Sequence, residues 1–234
     1  HLWKMVFQKP LIGTKKNSRD KMTLHIPKKF TDEKTYDVNL TSEDLINFEL
    51  RVKEEYEKAT ISGPVHMSKG NEAELIEIFK FINPEDWVFS SWRNHYHALL
   101  HGVPEEHLYE LITAGKSMSV YCEEPRFYTS SIVGGVLPIA MGVAKAQKMK
   151  NTGKKVWVFV GDMTFETGIF HEVYKYSRRH ELPIEFIVED NNMSTNTPTD
   201  ETWNGKKTVA PEDVFYYSYE RGYPHHGTGQ WILF

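Results

Sequence analysis

A chain of 234 residues that is 40% hydrophobic and 13% aromatic can build a sizeable core in one domain, or two at most. Its net charge of −4 gives no reason to expect a nucleic-acid partner, and Cys122, the only cysteine, excludes an internal disulfide and suits a reducing compartment. No apolar run reaches the ~20 residues that span a bilayer and no continuous apolar leader opens the chain, so the expectation is a cytoplasmic protein without a membrane partner.

Residues 1–40 are basic, turn-rich and weakly periodic, and Lys15-Lys16 and Lys28-Lys29 read as a solvated arm. This divides the chain into an N-terminal arm, 1–40, and an α/β domain, 41–234. Thr41-Ser42-Glu43-Asp44 marks a helix start, followed by Leu45, Phe48 and Val52 at helical spacing and ending before Gly63-Pro64. A second helix is predicted from about Asn71 to Ile82, with Leu75, Ile76, Phe79 and Ile82 on one stripe. Between Asp86 and Gly102 come a short strand, then Arg93, then His95, His97 and His101. The Arg93 fork can hold a phosphate. The histidines have possible metal spacing, but no cysteine or carboxylate completes a zinc set, and a surface histidine cluster beside a helix explains them as well. Pro104 to Lys116 reads as a compact helix ending near Gly115, and Ser117 to Phe127 as a loop or short edge segment. From Ser130 to Gly142 small residues allow a helix start to pack close to a ligand. That helix continues to about Met149, with no strand directly before it and no dinucleotide glycine pattern.

The most informative stretch is Val156 to Thr197. Five apolar residues, Val156 to Val160, form a strand buried on both faces, and Gly161-Asp162 breaks it. A helix follows with Phe165, Ile169, Val173 and Tyr176 on one face, then a second apolar run, Ile184 to Val188, ending in Glu189-Asp190-Asn191-Asn192. This is a strand–helix–strand crossover with polar residues at the carboxyl ends, where open parallel sheets bind ligands. Asp162 offers an anionic oxygen, Asn192 a neutral one, and the bend after it a carbonyl. With two diphosphate oxygens and a water they would complete an octahedral Mg²⁺ site. The helix start near Thr164 supplies N–H groups for the diphosphate. A bare strand and helix cap, with Asp162 as the cap, is the plain alternative. Thr197 to Pro211 is a polar loop, Asp213 to Tyr219 a strand, and Arg221 to Gly229 a tail with His225 and His226.

Gly161-Asp162 followed 30 positions after Asp162 by Asn192 resembles the thiamine-diphosphate signature, in which GDG precedes an asparagine pair. Met163 stands where that pattern has its second glycine. Trp92 to Gly102 resembles the YRxHGHALARG stretch of the alpha subunits of 2-oxo-acid dehydrogenases, and Ser131 to Gly142 their GIVGAQVPLGAG segment. Arg221 to Gly229 resembles, loosely, their YHGHS loop. The resemblance implies an α/β fold with a mostly parallel sheet and helices on both faces. It makes Asp162, Asn192 and the Ser194 carbonyl the Mg²⁺ ligands. Trp92, Arg93, Gly161, Met163 and Thr164 would meet the diphosphate side of the cofactor, and Ser131, Ile132 and Val133 the aminopyrimidine. His95, His225 and His226 would be active-site histidines. The implied activity is decarboxylation of a 2-oxo acid with thiamine diphosphate as electron sink. A beta-type subunit would supply the missing glutamate in an α2β2 assembly. Open alternatives are a split transketolase-like or acyloin-forming enzyme, a non-catalytic binding or regulatory protein of the same fold, and a hydrolase built on the histidines.

Overall fold

Local signals place the first helices. In the computed structural model, which describes residues 24–31, 33 and 35–232, Thr41 caps α1 (Ser42–Glu57) with a reciprocal pair of bonds. The Asp44 N–H donates to its hydroxyl at 3.2 Å, and the Thr41 N–H donates to the Asp44 carboxylate at 2.7 Å. Next come α2 (Glu72–Phe79), shorter than predicted because the chain turns at Lys80, then β1 (Trp87–Ser90) and α3 (His95–Leu100). α4 (Glu105–Leu111) runs into a wide turn, Ile112–Lys116, where Gly115 takes the left-handed φ of 77°. β2 (Tyr121–Cys122), β3 (Phe127–Thr129), α5 (Val136–Lys150) and β4 (Val156–Gly161) follow. The chain continues through α6 (Asp162–Phe165), α7 (Gly168–Arg179) and β5 (Ile184–Asp190). It closes with β6 (Met193–Ser194), β7 (Thr197–Pro198), α8 (Thr199–Thr202) and β8 (Phe215–Ser218).

Among the described residues six strands form one sheet in the order β2-β3-β1-β4-β5-β8, and of these only the edge strand β2 is antiparallel. Helices cover both faces, and alternation along each strand divides the core accordingly. Trp157, Phe159 and Ile187 join the α1–α4 side, while Val156, Val158, Val160 and Phe186 join α5 and α7.

Three expectations change. A strand, β3, does precede the Ser130 turn. It is only three residues long, and pairing with β1 defines it rather than a local pattern. The predicted helix stripe breaks at Thr167, which restarts the helix and shifts its phase. Phe170, Val173 and Ser177 are therefore buried, while Ile169 faces out and Tyr176 is only half-buried. Finally, the described part of 24–40 packs on the domain rather than trailing from it. Phe30 is fully buried against Phe81, Trp157 and Phe215, and Lys29 pairs with Glu185 at 2.6 Å. Lys15-Lys16 lies outside the described residues.

Candidate active site

β1 pairs on one side with β3, the next parallel strand in the chain, and on the other with β4, reached afterwards through α5. Strand order reverses there, so a crevice opens beyond the carboxyl ends of β1, β4 and β5. It is a cleft open to solvent. Ser91, Trp92 and Arg93 enter it from β1, and Gly161, Asp162, Met163 and Thr164 from β4. β5 contributes Glu189, Asn191, Met193, Ser194 and Thr195 around the turn. Val133 and, from the tail, Tyr219, Arg221 and His225 complete the wall.

The cleft is electrostatically divided. Arg93 is buried, and its guanidinium donates to the carbonyls of Met67 and His225, the latter at 3.0 Å, two of five available donors. Arg221 donates to the Thr195 carbonyl at 3.4 Å. Burial, and next the charge of Arg93, lower its pKa, so two guanidiniums share one wall. In the same cleft Asp162 is 4% exposed, and its Oδ2 has no hydrogen-bond partner among the described residues. Burial pushes its carboxyl up to about 7. The Thr199 hydroxyl and Lys207 oppose that rise, and the nearby Asp190 adds to it. Burial also lowers the pKa of His225, and the charges of Arg93 and Arg221 add to the shift. Its ring meets His66 edge-on at 4.9 Å and Trp92 at 6.2 Å.

Gly161 leaves the space beside its backbone open, since a Cβ there would meet nothing within 4 Å. Met163 lies in the α6 turn without a positive φ, so a side chain is tolerated where glycine was expected.

The profile of the Dehydrogenase E1 component family matches residues 41–216. The chain belongs to this family. It is 30% identical over 168 residues to the mitochondrial pyruvate dehydrogenase E1 component subunit alpha of Dictyostelium discoideum, covering 68% of this chain and 43% of that protein. It is 30% identical over 163 residues to the subunit alpha of Rickettsia bellii, covering 65% of this chain and 50% of that one. With subunit alpha-3, chloroplastic, of Oryza sativa the identity is 31% over 163 residues, covering 62% and 38%. The chain spans about half the length of the relatives it matches. Membership in the Dehydrogenase E1 component family implies thiamine diphosphate as cofactor.

Nine of the residues singled out from sequence line the cleft: Trp92, Arg93, Val133, Gly161, Asp162, Met163, Thr164, Ser194 and His225. Ser131 and Ile132 are exposed and do not line it, and His226 packs beside His225 at 5.9 Å between ring centres. Asn192, at φ 54°, turns its side chain into an adjoining cleft with Asp190, Asp200 and Lys207. His95 is fully buried and away from the lining. Its Nδ1 faces Glu49 at 3.2 Å and its Nε2 faces the Ser117 hydroxyl at 2.9 Å. The order Glu49–His95–Ser117 resembles a hydrolytic triad, but none of the three is more than 1% exposed, so no substrate reaches it. His97 faces Glu189 at 3.1 Å, and His101 donates to the Asp86 carbonyl at 3.1 Å. All three histidines are buried pins rather than a surface cluster, and among the described residues no three His, Cys, Asp or Glu side chains converge as a metal set. The tail is fastened too, since the Gly227 N–H donates to the Val65 carbonyl at 2.7 Å.

Sequence reasoning missed Arg221, Tyr219 and Lys207, and had Glu189 and Asn191 only as members of the polar cluster at the end of β5. Arg221 had a signal, an arginine opening the histidine segment. Glu189 and Tyr219 stand beside recognised residues. For Lys207 there was none.

Proposed function

We propose that the cleft binds thiamine diphosphate with Mg²⁺, and that this chain is the alpha-type part of an enzyme that decarboxylates a 2-oxo acid and passes on the resulting acyl or aldehyde unit. A beta-type chain would complete the site, in an α2β2 assembly. The observation that carries this reading is the pairing of two guanidiniums, Arg93 and Arg221, with an unpartnered buried carboxylate oxygen, Asp162 Oδ2, in one crevice at the switch point of a parallel sheet. Two cations in one partly buried cleft repel each other unless an anion lies between them, and a buried carboxylate oxygen without a donor calls for a cation. A metal-bound diphosphate meets both needs.

The donors fit in kind. Asp162, Asn191 and Ser194 line the cleft and offer a carboxylate, an amide and a carbonyl oxygen, all hard donors, with Asn191 standing where Asn192 was expected. Arg93 and Arg221 would hold the diphosphate oxygens, and the open space at Gly161 admits them close to the backbone. Thiamine diphosphate, when bound, supplies the electron sink that lets a 2-oxo acid lose CO₂. The chain's residues do the rest. Trp92 and Val133 line the cleft with apolar surface, and the imidazole of His225, whose pKa burial lowers, stands in the lining to hold a proton during the reaction. The single cysteine, Cys122, is buried and free, which suits a reducing compartment such as the cytoplasm.

Isothermal titration with thiamine diphosphate, with and without Mg²⁺, tests the binding. Uptake that depends on Mg²⁺ is expected, and uptake indifferent to the metal contradicts the site. Turnover is tested by assaying 2-oxo acids with an artificial electron acceptor after adding the beta-type chain.

A further inference from the structure

Strand pairing at the far side of the sheet decides what stands beside Asn191. β8 runs parallel to β5 with Ser218 opposite Asp190, and the Tyr219 N–H carries the pairing one step further by donating to the Asp190 carbonyl at 2.9 Å. The first residue after each strand, Asn191 and Tyr219, therefore meet although 28 positions separate them. Both line the cleft that holds Asp162. The Asn191 amide is held at its two ends. Its Nδ2 donates to the Tyr219 hydroxyl at 3.2 Å, and its Oδ1 accepts the Met193 N–H at 3.0 Å. An amide oxygen has two lone pairs, so one of them remains unspent. Tyr219 is itself fixed. It is 7% exposed, its ring packs on that of Tyr217 at 5.8 Å, and among the described residues Asn191 is the only hydrogen-bond partner of its hydroxyl.

We propose that Tyr219 is a positioning residue for the metal: it holds the nitrogen end of the Asn191 amide so that the oxygen end stays turned to the cleft for Mg²⁺. This rests on the reading of Asp162, Asn191 and Ser194 as the metal site. Only the oxygen of an amide can serve a hard cation, because the nitrogen carries hydrogens and offers no lone pair. Mg²⁺ also demands a nearly ideal octahedron, so an amide free to rock about its last torsion presents that oxygen only part of the time. The bond from the Met193 N–H restrains one end, and the Tyr219 hydroxyl removes the remaining freedom, as outer partners of metal ligands do. Arg221, two residues further on, lines the same cleft. The segment that leaves β8 thus serves the metal through Tyr219 and the diphosphate through Arg221.

The test is calorimetric titration of Mg²⁺ into the full chain at saturating thiamine diphosphate. Tyr219→Phe keeps the ring and its packing and removes only the hydroxyl. It should bind Mg²⁺ about tenfold more weakly than wild type, the low end of what losing an outer partner of a metal ligand costs. Asn191→Asp presents an oxygen at either end and needs no anchor, so adding Tyr219→Phe to it should bring no further loss. If wild type binds Mg²⁺ and Tyr219→Phe binds it equally well, the positioning role is overturned while the metal site stands. A loss of the same size in the Asn191→Asp background also overturns it, because the tyrosine would then act through packing alone. If wild type takes up no Mg²⁺, the metal site and this inference fall together.

Discussion

Asp162 and the two arginines make separable predictions. Asp162→Ala removes the only carboxylate proposed to hold the metal, so Mg²⁺-dependent binding of thiamine diphosphate should disappear while the circular dichroism spectrum is kept. Arg93 and Arg221 would share the diphosphate, yet they differ in what else they hold. Arg93 also ties Met67 to His225, whereas Arg221 makes one long bond to Thr195. Arg221→Lys should weaken binding by roughly 1–3 kcal/mol, the range for charge-assisted hydrogen bonds, with the urea midpoint unmoved. Arg93→Lys should lower affinity and midpoint together. His101 carries a pH prediction. Burial pushes its imidazole down to about 4, while in the unfolded chain it takes a proton near pH 6.5. Below ~6.5 the unfolded state therefore binds more protons, and stability falls with pH by up to ~1.4 kcal/mol per unit until the folded value is reached. Wild type should lose more stability between pH 7 and 5 than His101→Gln, measured by urea unfolding. The opposing effect of Asp162 is common to both proteins and cancels in that comparison.

At the scale of elements, the cleft depends on how the segment before α2 meets the tail. Gly70 has a φ of 109°, and a Cβ there would collide with the Glu220 carbonyl. Gly70→Ala should cost about 1–2 kcal/mol from the left-handed backbone alone, and more from moving the segment that leads into Arg221. Thermal unfolding and cofactor titration should both register it. How far such features were legible depends on how local their causes are. β4 and β5 stood out because strands covered on both faces read as unbroken apolar runs, and α1 because its cap is written within four residues. β3 was invisible because Phe127–Thr129 becomes a strand only through β1. The site divides the same way. Asp162 was legible as the residue ending a buried strand. The direction of His95 was set by Glu49, 46 positions earlier, and that of Asn192 by Lys207, neither of which spacing reveals. The helix phase in α7 failed because a restart at Thr167 is a matter of backbone geometry rather than apolar pattern.

At the scale of the whole molecule, the open cleft and the exposed Ile132, Val133, Ile139 and Ile169 agree with a site awaiting a second chain. The chain alone should take up cofactor weakly and turn over no 2-oxo acid. Adding the beta-type chain should raise activity by at least the ~10²–10⁴-fold typical of gaining an acid–base partner. A single chain that decarboxylates pyruvate unaided would refute this, and an inactive but well-assembled pair would favour a non-catalytic role.

The order of the sheet also governs how the chain reaches this state. β1 is flanked by two strands made after it: Val88 pairs with Phe127, and Trp87 with Val156. During synthesis β1 therefore leaves the ribosome with neither neighbour, and it still has one bare edge after β3 has emerged. β4 and β5 are joined by a short helical crossover and align over six residues, so they can find each other quickly. Insertion of β1 between β3 and that pair is then expected to be slower than the pairing of β4 with β5. A nascent chain stalled between Thr129 and Val156 presents an unpaired parallel edge, the species most exposed to aggregation and most in need of a chaperone.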